Sequence, residues 1–145
     1  MKTVGEILRT KGHDIWTVAP DATVCQALEL MAQKNIGAVV VIEGGQLAGI
    51  LSERDYARKV ILRGRTSRDT PVRDIMTEEV FCVRPDYTVE QCMALMTDKR
   101  VRHLPVLEGD RLVGLVSIGD VVKAIISEQE FMIGQLESYI TGKAR

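Results

Sequence analysis

The sequence predicts an α/β fold made of two tandem βαββα repeats with an added C-terminal helix. Three observations predict it. The chain aligns with itself without a gap, from Val18 against Val83 to Val60 against Ile125, at a constant offset of 65 residues. Along that register Val18-Ala19-Pro20-Asp21-Ala22-Thr23-Val24 matches Val83-Arg84-Pro85-Asp86-Tyr87-Thr88-Val89, and Glu43-Gly44 matches Glu108-Gly109. Within each copy a helical apolar period gives way to two short apolar runs split by a glycine turn. Each copy then carries the same strand-to-helix junction, Gly49-Ile50-Leu51-Ser52-Glu53-Arg54-Asp55 and Gly114-Leu115-Val116-Ser117-Ile118-Gly119-Asp120.

The elements follow in order. Val4, Ile7 and Leu8 share one face of a short helix, which Lys11-Gly12-His13-Asp14 interrupts before the extended Ile15-Trp16-Thr17-Val18. The second copy opens similarly with Val72, Ile75 and Met76, then Glu78-Glu79, then Val80-Phe81-Cys82-Val83. Thr23 with Gln26, and Thr88 with Gln91, predict capping boxes in which each side chain satisfies an N–H that the first helical turn leaves unpaired. Behind them Val24, Ala27, Leu28 and Met31, and Val89, Cys92, Met93 and Met96, form core faces; at this spacing the methionines read as packing.

Strands follow at Ala38 to Ile42 and Leu47 to Leu51 around Glu43-Gly44-Gly45-Gln46, and at Leu104 to Leu107 and Leu112 to Val116 around Glu108-Gly109-Asp110-Arg111. Their near-continuous apolar character implies burial on both faces. A helix from Glu53 to about Leu62 stops at Gly64, before the basic connector Arg65-Thr66-Ser67-Arg68-Asp69-Thr70-Pro71. After Ile126, the stripe Gln129, Met132, Ile133, Leu136, Tyr139 and Ile140 exceeds what one small domain covers. It reads as an interface with a second subunit, the competing reading being a fold back over its own core. The resulting division is residues 1–66, 67–127 and an extension at 128–145, all parts of one integrated domain.

Composition narrows the function classes. With 46% apolar and 27% charged residues and a formal net charge of −1, the chain is an ordinary globular protein with no overall attraction to nucleic acid or anionic membrane. Met1-Lys2-Thr3-Val4-Gly5-Glu6 lacks the apolar run of a signal peptide and no stretch reaches the length of a membrane span, so the expected location is cytoplasmic. Cys25, Cys82 and Cys92 lack Cys-x-x-Cys spacing, which argues against a disulfide framework and a zinc site.

The junctions carry the chemistry. Ser-x-x-Asp is first a helix cap, since the serine accepts from a first-turn N–H and the acid lies at the positive helix end. The same atoms suit a second use: a carboxylate takes both hydroxyls of a ribose while the hydroxyl and the helix end hold phosphate. Arg54 and Arg102 are planar donor forks at matched ends of the repeat, and Val80-Phe81 and Ile15-Trp16 have the apolar bulk to flank a planar base. His103 lacks partners for a metal site, His13 being far away in sequence. No serine, cysteine or lysine has the base and orienting group that a nucleophile needs, so the chain is not expected to be an enzyme.

Over almost its whole length the chain resembles a CBS-domain pair, the cystathionine-β-synthase-type Bateman module of the stand-alone bacterial type. The resemblance rests on Gly49 to Asp55 and Gly114 to Asp120, and on Arg102-His103-Leu104-Pro105-Val106, where repeat one departs and reads Gly37-Ala38-Val39-Val40-Val41. It implies a pseudo-twofold pair with two clefts for adenine nucleotides. One cleft would join Ser117 and Asp120 to Ile15, Trp16, Gly37 and Ala38; the other would join Ser52, Arg54 and Asp55 to Thr77, Val80, Phe81, Arg102 and His103. The implied function is a non-catalytic sensor, a homodimer that needs no cofactor, binds AMP, ADP, ATP or an NAD-type dinucleotide as regulatory ligand, and acts on an effector protein in trans. The alternative is a structural dimerisation domain with vestigial clefts.

Overall fold

The computed structural model describes residues 2–141; Met1 and residues 142–145, the outer ends of the predicted first repeat and extension, lie outside the described residues. The chain is an α/β protein that divides into two compact units. One is Asp14–Phe81, and the other combines the described residues up to His13 with those from Cys82 onward.

In the Asp14–Phe81 unit, β1 (Thr17–Val18) runs parallel to β2 (Ala38–Glu43), which pairs antiparallel with β3 (Gln46–Ser52). Gly44 and Gly45 make the turn with φ of 59° and 76°, the left-handed conformations that a two-residue hairpin loop requires. Between β1 and β2, α2 (Val24–Lys34) starts at the predicted Thr23–Gln26 capping box. Its Val24, Ala27 and Met31 join Val39, Val41, Leu51, Val60, Val72 and Ile75 in the core. The last helix, α3 (Glu53–Lys59), is shorter than its sequence pattern. Val60 is fully buried, and a 3-10 turn at Ile61–Arg63 then carries Ile61 and Leu62 to the surface before Gly64 ends the run at φ 70°.

The other unit holds α1 (Val4–Lys11), α4 (Val89–Lys99), β4 (His103–Glu108), β5 (Arg111–Ser117) and α5 (Ile118–Thr141). β4 and β5 form an antiparallel pair, and α4 begins at the second predicted capping box, Thr88–Gln91. The first strand of repeat two is reduced to a parallel bridge between Val83 and Val106. Pro105 stands where repeat one has Val40, whose N–H donates to the Trp16 carbonyl at 3.2 Å, and a proline has no N–H for that rung. The predicted repeat helix and extension merge into one 24-residue helix, α5. Cys92 is buried, which pushes its thiol up to about 11, and burial raises Cys82 as well; Cys25, Cys82 and Cys92 form no disulfide among the described residues.

The segment that opens each repeat in sequence packs in the unit of the other repeat. Val4 N–H donates to the Tyr87 carbonyl and Gly5 N–H to the Pro85 carbonyl, both at 2.9 Å. Correspondingly Val24 N–H donates to Thr70 O and Val72 N–H to Ala22 O, both at 2.8 Å, and Ile50 and Thr77 exchange backbone bonds of 3.0 and 2.9 Å. This second opening is a single 3-10 turn, Val72–Asp74, where the sequence resemblance to Val4-Ile7-Leu8 predicts a helix. Pro71, which precedes it, holds extended backbone.

The glycine that opens each junction is needed for this packing. A Cβ on Gly49 would lie 2.8 Å from the Thr77 carbonyl oxygen, whereas the nearest atoms to one on Gly114 belong to the Leu8 side chain, its two methyls at 2.6 and 2.8 Å and its Cγ at 3.3 Å. Backbone cannot swing away as a side chain can. Gly49→Ala is therefore expected to destabilise by about 1–3 kcal/mol, the range for overpacking, and Gly114→Ala by less. Denaturant unfolding of the two variants checks the order, and equal losses would contradict it.

Candidate functional site

In the Asp14–Phe81 unit the junction is built by β3 running directly into α3. Ser52 holds extended backbone and caps the helix: its Oγ accepts from Asp55 N–H at 3.2 Å, while Asp55 Oδ2 accepts from Ser52 N–H at 2.9 Å and from its hydroxyl at 3.1 Å. The other carboxylate oxygen is also taken. Asp55 Oδ1 accepts from Thr77 Oγ1 at 3.2 Å and meets Lys59 Nζ at 3.1 Å, and the same ammonium donates to Ile75 O at 3.0 Å. With about four acceptor positions on a carboxylate, Asp55 is saturated by its own unit.

Around this junction the Gly37 carbonyl accepts from Glu53 N–H at 3.0 Å, and Ala38 pairs with Ser52 and is fully buried. Trp16 packs against the core with Lys34 Nζ 4.2 Å from its ring centroid, so one face already carries a cation. Ile15, Arg54, Val80 and Phe81 are half-buried in the same unit.

The second junction repeats the cap with different surroundings. Asp120 N–H donates to Ser117 Oγ at 3.2 Å, and Asp120 Oδ2 accepts from Ser117 N–H at 2.9 Å and from Lys11 Nζ at 2.5 Å. Lys11 also donates to Leu115 O at 2.7 Å. Asp120 Oδ1 accepts no hydrogen bond among the described residues, in contrast to both oxygens of Asp55. Burial alone would raise the Asp120 carboxyl, but the Lys11 ammonium and the Ser117 N–H and hydroxyl outweigh it and hold the group below its ordinary value.

His103 pairs with Ser117 across β4 and β5, and the Arg102 carbonyl accepts from Ile118 N–H at 2.8 Å. Burial lowers the His103 pKa, Lys11 and Arg102 lower it further, and Asp120 opposes them. His13 uses Nδ1 to donate to Val113 O at 3.0 Å. No group of three metal-ligating side chains occurs among the described residues.

The structure thus brings together Ser52, Asp55 and Thr77 in one unit, and Ser117, Asp120, Arg102 and His103 in the other. Sequence reasoning missed Lys59 and Lys11. Lys59 stands four residues after Asp55, the spacing of a helical ion pair, and could have been found. Lys11 reaches an aspartate 109 residues away, with no local signal.

Two repeats with paired strands, capped helices and twin Ser-x-x-Asp junctions define a tandem CBS module. Residues 4–62 and 72–127 each match the CBS domain, and the chain belongs to that family. It is 43% identical over 150 residues to the CBS domain-containing protein CBSX3, mitochondrial, of Arabidopsis thaliana, covering 97% of this chain and 72% of that protein. A Burkholderia ambifaria structure described as a signal-transduction protein with CBS domains is 50% identical, covers 88% of this chain and 96% of its own, and superposes with a TM-score of 0.85. The hexameric CBS-CP12 protein from bloom-forming cyanobacteria is 29% identical, with 83% of this chain and 66% of its own covered and a TM-score of 0.75. No helix among the described residues is long and apolar enough to cross a membrane.

The Lys11–Asp120 pair gives a pH dependence. A carboxylate whose folded pKa lies below its unfolded one adds stability at neutral pH that is lost as pH falls through the folded value. Lys11→Met should raise the Asp120 titration and shrink that acid-side loss. Carboxyl-carbon NMR titration reads this directly, and an unmoved Asp120 would rule Lys11 out as the cause.

Proposed function

We propose that the protein is a non-catalytic regulatory module that binds an adenine nucleotide at its Ser-x-x-Asp junctions and acts on an effector protein in trans. The observation that carries this reading is the duplicated junction itself, in which a serine and an aspartate meet a helix start beside basic groups. A helix N-terminus favours phosphate, and the aspartate accepts from ribose hydroxyls. Asp120 supports the reading most strongly, since its Oδ1 accepts nothing among the described residues while Lys11 supplies positive charge next to it. Arg54, Arg102 and His103 are proposed as phosphate donors, and Ile15, Trp16, Gly37, Ala38, Thr77, Val80 and Phe81 as adenosine contacts.

Asp55 favours a second reading, a structural dimerisation domain with vestigial sites. Its carboxylate is already occupied by Ser52, Thr77 and Lys59, so a ribose must exchange with the last two.

Under the sensor reading, adenosine-containing ligands raise the melting temperature more than guanosine or pyrimidine analogues, because they bind the native state alone. No shift from any adenine compound at millimolar concentration leaves only the structural reading. In calorimetric titration Asp120→Ala should weaken the best ligand by on the order of 10- to 100-fold, the loss of hydrogen bonds to a charged group. Asp55→Ala should weaken it less. Equal losses would refute the ranking, and no loss in either variant would reduce both aspartates to helix caps.

The protein is also proposed to be a homodimer through its C-terminal helix. Deleting residues after Ile126 should weaken self-association, and a truncated protein sedimenting as the same oligomer would contradict this.

A further inference from the structure

α5 has two different faces. Val121 and Ala124 are buried in its own unit, and Ser127 Oγ lies 3.5 Å from Lys2 Nζ on that side. The opposite face carries Val122, Ile126, Gln129, Ile133, Leu136 and Ile140, spaced alternately by four and three residues. This is the seven-residue period of a coiled-coil seam. Ile126, Ile133 and Ile140 fall at its a positions, and Val122, Gln129 and Leu136 at d. The apolar members are open to solvent, from 40% for Val122 to 80% for Ile140. This line, about 27 Å long and apolar except for Gln129, is left exposed by the described residues.

We propose that this seam pairs with the same seam of a second copy of the chain, side by side and parallel, as a short two-stranded coiled coil. The proposal rests on the homodimer reading above and gives it an orientation and a register. All three a positions are isoleucine and one of the three d positions, Leu136, is leucine; β-branched residues at a with leucine at d favour two parallel strands. Gln129 decides the direction. In the parallel register it meets Gln129 of the partner subunit, and the two amides can hydrogen-bond across the seam, as a single buried amide does when it fixes register. In the antiparallel register that sets Ile126 against the partner's Leu136, Gln129 would face the partner's Ile133 and be buried without a partner. That arrangement would align Lys123 with the partner's Glu137, but a rim ion pair contributes little beside an unsatisfied buried amide. It would also place Glu130 near the partner's Glu130, a like-charge contact. The twofold axis of a parallel pair uses one patch on both subunits, as a closed dimer requires. Phe131 lies outside the seam and serves as its control.

Single cysteine variants of the full chain, mildly oxidised and run on non-reducing gels, test the geometry. Ile133→Cys should give mostly covalent dimer, and Phe131→Cys and the parent protein, with its three native thiols, should not. Leu136→Glu, at an exposed position, should raise the dimer dissociation constant at least tenfold by sedimentation without changing the circular dichroism of the monomer. A parent protein that stays monomeric at high micromolar concentration overturns both the dimer and the seam. A parent dimer in which Ile133→Cys fails to cross-link, or cross-links no better than Phe131→Cys, overturns the seam alone. Preferential cross-linking between Ile126→Cys and Leu136→Cys chains in a mixture overturns the parallel direction.

Discussion

The packing of each opening segment against a junction glycine is the contact on which both candidate sites depend. Thr77 reaches Asp55 because its own backbone is paired with Ile50, and that pairing exists because Gly49 offers no Cβ to the Thr77 carbonyl. Lys11 reaches Asp120 because α1 lies against β5 with Leu8 over Gly114. The glycine of the sequence pattern and the aspartate six residues later are therefore one device. The glycine admits a segment from a distant part of the chain, and the segment delivers the aspartate's partner.

Much of this was legible in the sequence because it is encoded locally. The capping boxes at Thr23 and Thr88, the glycine turns at Gly44 and Gly109 and the stop at Gly64 all rest on residues within a few positions of one another. The internal repeat supplied the rest by analogy, and analogy failed where one residue changes the chemistry. Pro105 in place of Val40 removes a ladder bond, so the first strand of repeat two shrinks to a bridge. The opening of repeat two shares its apolar spacing with α1 but makes only one turn. Lys11 was invisible for a different reason: at the offset that aligns Val4 with Val72, its counterpart is Glu79, so the repeat predicts no cation there.

The two aspartates show how one motif serves structure and chemistry in different proportions. Both cap a helix through the serine backbone at 2.9 Å. At Asp55 the remaining capacity is absorbed by a threonine and by a lysine of the same helix, which makes the junction self-contained. At Asp120 the cation comes from a separate helix, and one oxygen faces none of the described donors. A duplication thus yields two copies of the cap, while the residues that arrive around each cap come from non-equivalent stretches of chain and differentiate them.

The exchange of opening segments also orders the events of biosynthesis. Residues 14–81 are contiguous, so that unit has all its parts once Phe81 has left the ribosome. Its partner does not: the β5 glycine against which Leu8 packs is made more than a hundred residues after Leu8 itself. During that interval the apolar face of Val4, Ile7 and Leu8 has no native surface to cover it. The closure of α1 is a high-contact-order step, slow relative to the local helices and turns around it. α1 is translated before the strand it packs against and is among the last elements to reach native contacts, and the nascent chain carries an exposed apolar helix face until then.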